Sequence, residues 1–128
     1  MIVVDTSVWI DFFRSRPGAA AKHLGSLLDA DEVALVAPVR IELVSGVRRT
    51  ESARLKRVLS ALPMWRPTDA TWATMEAWAE RAGARGQRFG VGDLLVGAIA
   101  SEHGAALWSL HADFVRMQRL GFVRLHLA

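Results

Sequence analysis

Short apolar runs alternating with helix-patterned stretches constrain this chain most. Met1–Val4 is a β-branched run and reads as a fully buried strand. Thr6 and Ser7 follow as cap candidates for a helix carrying Val8, Trp9, Phe12 and Phe13, which should end before Arg16-Pro17-Gly18. Ala19–Leu28 reads as a second helix and Val33–Ala37 as a second strand. Pro38 sits in the favoured first turn of a helix whose apolar face is Ile41, Val44 and Val47. Ser52–Leu62 is helical, Met64–Arg66 a short strand, and Asp69 caps a helix to about Arg81. Gly83–Gly92 reads as a loop, because its glycines break any regular pattern. Then come a strongly apolar helix from Asp93 to His103, a strand over Ala106–Ser109, a helix over Asp113–Leu120 and a last strand over Val123–Leu127. This order predicts an α/β fold: a three-layer α/β/α domain whose mainly parallel sheet has four or five strands.

At 128 residues the expectation is one domain, residues 1–128, with a core that needs no staples. A hydrophobic share of 52% and a charged share of 23% exclude disorder. The lack of Cys excludes disulfides, a cysteine nucleophile, iron–sulfur clusters and thiolate zinc sites. No apolar run approaches the length of a membrane span and the N-terminus has no basic n-region, so a soluble cytoplasmic protein with no membrane partner is expected. Of the 16 cations, 14 are Arg. Guanidinium forks suit phosphate, so the balance permits a polyanionic partner, although a GC-rich genome produces the same bias.

In parallel sheets, ligands sit beyond the carboxyl ends of the strands. Asp5 directly follows the first strand, and Asp113 follows the strand holding Leu107 and Trp108. Asp93 opens an apolar helix, and Glu42 stands between Ile41 and Leu43. Each acid lies in apolar sequence, where a carboxylate is costly unless paired or bound to a metal. Converging carboxylates raise one another's pKa until a cation neutralises them. With oxygen ligands only, that cation would be Mg²⁺, with Mn²⁺ as substitute. Each acid has a plainer reading. Asp5, Asp93 and Asp113 can cap helices, and Glu42 can face solvent. Asp11 reads as a surface ion pair with Arg14.

Four segments occur in order: Val4-Asp5-Thr6-Ser7-Val8-Trp9-Ile10-Asp11-Phe12-Phe13-Arg14, Ile41-Glu42-Leu43-Val44-Ser45-Gly46, Val91-Gly92-Asp93-Leu94-Leu95-Val96-Gly97-Ala98-Ile99-Ala100 and Leu107-Trp108-Ser109-Leu110-His111-Ala112-Asp113-Phe114. Together they resemble the PIN-domain nucleases, specifically the VapC toxins of bacterial VapBC toxin–antitoxin pairs, over essentially the whole chain. The resemblance implies a PIN-like α/β/α nuclease in which Asp5, Glu42 and Asp93 are the central acids around Mg²⁺, Asp5 and Asp93 holding it. Thr6 or Ser7 would hydrogen-bond near the metal, and Ser109 would replace the family's Thr. The chain departs from the pattern at His111, where the usual fourth acid stands. Asp113 then completes the site, or His111 does, or three acids suffice.

The activity so implied is a Mg²⁺-dependent endoribonuclease. It would cut structured RNA, in tRNA or rRNA loops, by a metal-activated water that leaves a 5′-phosphate and a 3′-hydroxyl. Arg14, Arg48, Arg85 and Arg88 are candidates to guide the RNA backbone. The implied partners are a VapB-like antitoxin, a second copy in a homodimer, and a toxin–antitoxin hetero-oligomer. Two other readings stay open: a PIN nuclease of RNA processing without an antitoxin, and a non-catalytic PIN-like binding module.

Overall fold

A computed structural model describes residues 1–14, 16 and 18–127; Pro17 lies outside them. The chain runs β1 (Ile2–Val4), α1 (Thr6–Phe12), α2 (Ala19–Asp29), β2 (Val33–Val36), α3 (Ala37–Gly46), a 3-10 turn (Arg49–Glu51) and α4 (Ser52–Ser60). It continues through β3 (Met64–Trp65), α5 (Asp69–Ala84), α6 (Val91–Glu102), β4 (Ala106–Trp108) and α7 (Ala112–Arg119). The strands form one parallel sheet in the order β3-β2-β1-β4. This is the expected α/β/α architecture with four strands. β1, β2 and β4 are buried throughout, which is why they read as unbroken apolar runs and not as alternating ones.

The strand order sets the layers. From β1 the chain steps to β2 and β3, then returns across the sheet to β4 on the other side of β1. Right-handed crossovers therefore put α1–α4 on one face and α5–α7 on the other. The packing agrees: α1 lies on α2 and α3, while α6 lies on α5 and α7. The reversal between β1 and β4 is the topological switch point, and its crevice opens at the carboxyl ends of those two strands.

Trp9 anchors the first layer. It is fully buried, and its Nε1–H donates to the Val4 carbonyl at 3.1 Å. Phe13 stacks on its ring and Phe12 meets the ring edge-on, both with centroids 5.9 Å away. Burying an indole with its N–H satisfied stabilises the fold by several kcal/mol, about 3–5 on the truncation scale. In the other layer Gly97 allows close packing. A Cβ there would stand 3.1 Å from Val123 and 3.4 Å from Trp78.

Several local expectations need correction. Val123–Leu127 is not a full strand: one parallel bridge joins Leu107 to Leu125, and on its other side the Leu125 N–H donates to Gln118 Oε1 at 2.8 Å. Imidazoles hold this segment as well, His23 and His126 meeting Nε2 to Nε2 at 2.9 Å. Burial and the neighbouring His23 hold the His126 pKa below its ordinary value. In α3 the buried residues are Val39 and Leu43, whereas Ile41 and Val44 are exposed. Val39 and Leu43 are four apart and share a face; Ile41 falls between them on the far side. Thr68, not Asp69, caps α5, in a reciprocal pair where the Thr68 N–H donates to Thr71 Oγ1 at 2.9 Å. The glycine-rich connection is shorter than expected, since α5 runs through Gly83 and α6 takes in Gly92. Asp11 is buried and not a surface residue, although Arg14 does lie 3.6 Å from its Oδ1.

Candidate active site

The crevice at the switch point is built on Asp5. Its N–H donates to the Trp108 carbonyl at 2.8 Å, which ties the end of β1 to the end of β4. Asp5 occupies the N-cap position of α1 but makes no capping hydrogen bond. Its Oδ2 instead accepts from the Ser109 hydroxyl at 2.8 Å and from the Ser7 hydroxyl at 3.1 Å. The serines are themselves oriented. Ser7 Oγ accepts the Leu110 N–H at 3.1 Å, and Ser109 Oγ accepts the His111 N–H at 3.0 Å. With those lone pairs occupied, both hydroxyl protons turn toward Asp5. Ser7, not Thr6, plays this part; Thr6 Oγ1 is buried without a partner. The backbone of Leu110 and His111 was not singled out in the sequence, because the β4–α7 turn becomes a donor pair only once it lies against β1.

Asp93 faces this carboxylate from α6. It is the third residue of that helix, and Gly90 holds the cap position. Its carboxyl pKa is raised, first by burial, then by the charge of Asp5, then by Asp113, with a smaller contribution from Glu42; His111 opposes. The four sequence-nominated acids therefore act on one point. Their environments differ. Asp5 is buried and Asp93 half-buried, while Glu42 is exposed on α3. Asp113, the second residue of α7, is half-buried and accepts from Arg116 at 2.9 Å. The cap positions of α6 and α7 belong to Gly90 and His111, so helix capping does not account for Asp93 or Asp113.

The donor set is that of a hard divalent cation. It offers only carboxylate oxygens, in mutual repulsion, and hydrogen bonds among the described residues fall on Asp5 Oδ2 and leave Oδ1 without one. Among the described residues no three Asp, Glu or His side chains stand close enough to enclose an ion together. The Oδ1 of Asp5, without a hydrogen bond, and the carboxyl of Asp93 within reach of its charge are donors of the kind a hard cation takes. Glu42 and Asp113 lie at the margin. On the α3 side a groove of about 360 Å³ opens beside Glu42, lined by Thr6, Ile10, Phe13, Leu43 and Val47 among others.

Comparison with known proteins shows the family and the fold. The PIN domain family model matches residues 2–120. Ribonuclease VapC11 of Mycobacterium tuberculosis is 31% identical over 125 residues, covering 94% of this chain and 93% of that protein. Of solved structures, VapBC2 from Rickettsia felis, bound to a DNA fragment from its promoter, superposes with TM-score 0.75 at 18% identity over 98% of each chain. FitAcB from Neisseria gonorrhoeae does so with TM-score 0.76 at 17% identity, covering 99% of this chain and 97% of that one. These two likenesses are of fold. The chain belongs to the PIN-domain family, among its VapC proteins.

Proposed function

We propose that this protein is a divalent-metal-dependent endoribonuclease and the toxin of a VapBC-type pair, acting in the cytoplasm as one PIN domain. What supports this reading is Asp5 at the switch point with Asp93 near enough to feel its charge: the pKa of Asp93 is raised first by burial, then by Asp5, and further by Asp113 and Glu42. An acidic cluster with no resident cation serves stability poorly and metal chemistry well.

Asp5 and Asp93 would hold Mg²⁺, or Mn²⁺ in its place. When bound, the ion supplies charge stabilisation at the scissile phosphate and a water of lowered pKa. The protein's part is positional. Ser7 and Ser109 fix one oxygen of Asp5 and leave the other for the ion. Glu42, exposed beside the groove, and Asp113, turned by Arg116, flank the place a phosphodiester would occupy. The attacking group is water and not the 2′-hydroxyl, so cleavage leaves a 5′-phosphate and a 3′-hydroxyl. Single-stranded loops of structured RNA, as in tRNA or rRNA, are the natural substrates, since their bases can be splayed away from the scissile bond.

The apolar groove of Ile10, Phe13, Leu43 and Val47 beside Glu42 fits a VapB-like antitoxin segment, with an antitoxin guanidinium reaching the acids as a cation substitute. A homodimer and a toxin–antitoxin hetero-oligomer complete the reading. The test is cleavage of total RNA by purified protein, in Mg²⁺ or EDTA, beside Asp93→Asn. Magnesium-dependent cuts absent from the variant are expected. Identical cuts by both proteins would contradict the assignment.

A further inference from the structure

We infer that the concavity between the ends of α5 and α7 is a phosphate-binding subsite, which holds the RNA backbone outside the acidic crevice. This rests on the nuclease reading above and adds the path of the strand. The concavity measures about 290 Å³ and is lined by Arg81, Ala84, Arg85, Arg119 and Leu120. It thus gathers three guanidinium groups and no carboxylate.

Three arginines elsewhere are paired with carboxylates. Arg14 pairs with Asp11 at 3.6 Å, Arg54 with Glu51 at 3.8 Å and Arg116 with Asp113 at 2.9 Å. Among the described residues Arg81, Arg85 and Arg119 form no ion pair. Nor is this a loose fringe of side chains. Arg81 Nη2 donates to the Leu120 carbonyl at 3.2 Å, and its guanidinium lies over the Phe122 ring at 4.9 Å. Arg85 follows Arg81 by one helical turn on the same face of α5. Three like charges turned into one hollow repel unless an anion joins them. Planar forks in this arrangement match phosphate oxygens better than ammonium groups would.

One helix joins the hollow to the acids. α7 begins beside the crevice at Asp113 and ends at Arg119, six residues or about 9 Å further along the axis. Between them on α7, Arg116 donates to Asp113 and to the Arg88 carbonyl, and it lies over Phe89 at 4.3 Å. A single strand with one phosphate at the acids would reach the arginines within a few nucleotides. That shared ridge favours RNA over an acidic protein as the occupant.

The test is the salt dependence of binding of a labelled single-stranded oligouridylate to the metal-free protein in EDTA. Each phosphate contact on a single strand contributes about 0.7 to the slope of log K against log salt. Arg85→Gln with Arg119→Gln should lower that slope by about 1.4. Arg85→Lys with Arg119→Lys should keep it, as should Arg57→Gln on the opposite layer. Arg81 stays, because it also holds Leu120 and Phe122. If the paired substitution lowers the melting temperature, each single variant serves instead, with a loss of about 0.7. A slope equal to the wild type overturns the subsite and leaves Mg²⁺-dependent cleavage of total RNA untouched. Displacement of the oligouridylate by polyglutamate as readily as by unlabelled RNA overturns it in favour of acidic peptides. Loss of both binding and cleavage in the wild type overturns subsite and nuclease reading together.

Discussion

The two ends of α1 carry one buried carboxylate each, and they have opposite surroundings. Asp5 at its start is 6% exposed and Asp11 at its end is 8% exposed. Asp11 has a guanidinium 3.6 Å from its Oδ1, although its buried Oδ2 has no hydrogen-bond partner among the described residues, and it lies against Gly18, where a Cβ would stand 2.5 Å from Oδ1. Asp5 has no cation. It is held by two hydroxyls and faces Asp93, whose pKa its charge helps to raise. Burial alone therefore does not mark a functional acid. The sign of the charge around it does: a structural carboxylate is neutralised by the protein, and a metal-binding one is left for the ion to neutralise.

That contrast can be sharpened at three positions. The largest effect is expected at Ser109. Ser109→Ala removes the shorter bond to Asp5, and outer partners of metal ligands are typically worth about 10–100-fold in metal affinity or activity. Metal titration of cleavage should show that loss, with Ser7→Ala milder because its bond is longer at 3.1 Å.

Asp93 gives a subtler test through stability. Its folded-state pKa is raised, so the folded chain holds that proton more tightly than the unfolded chain. The stabilisation is present at acid pH and is lost as pH climbs from about 4, the unfolded value, through the raised value. Above the raised value, without divalent ions, Asp93 is therefore a liability. Asp93→Asn should melt higher than wild type there and show a flatter pH dependence. The smallest effect belongs to Asp11. Asp11→Asn should leave cleavage unchanged and alter stability by no more than about 1 kcal/mol, since its partner Arg14 is exposed. A large loss of cleavage in Asp11→Asn would erase the distinction between the two ends of the helix.

What the sequence revealed follows from how local each signal is. Strand ends are local, so the alternation of apolar runs places Asp5 beyond β1 and Asp113 beyond β4. Residue spacing along a helix says which side chains share a face, but not which face is inward. Ile41 and Val44 were read as core for that reason, and Val39 with Leu43 took the place instead. The same limit hid the burial of Asp11, which depends on Gly18 from the next helix coming against it. The expected fifth strand shrinks to one bridge: Leu107 bonds Arg124 and His126 on either side of Leu125, and the pairing goes no further. Arg85 was visible only as one arginine among many. Its neighbours Arg81 and Arg119 lie far from each other in the chain and meet because α5 ends against the end of α7. No window of sequence contains that meeting.

The central claim is that the start of α1 is kept anionic for a divalent ion. Calorimetric titration of Mn²⁺ into the wild type and Asp5→Asn tests it without any RNA. The account predicts saturable binding to the wild type and a loss beyond the roughly 100-fold ceiling of outer-shell changes in Asp5→Asn, with the fold intact by circular dichroism. Equal Mn²⁺ affinity in the two proteins would contradict it.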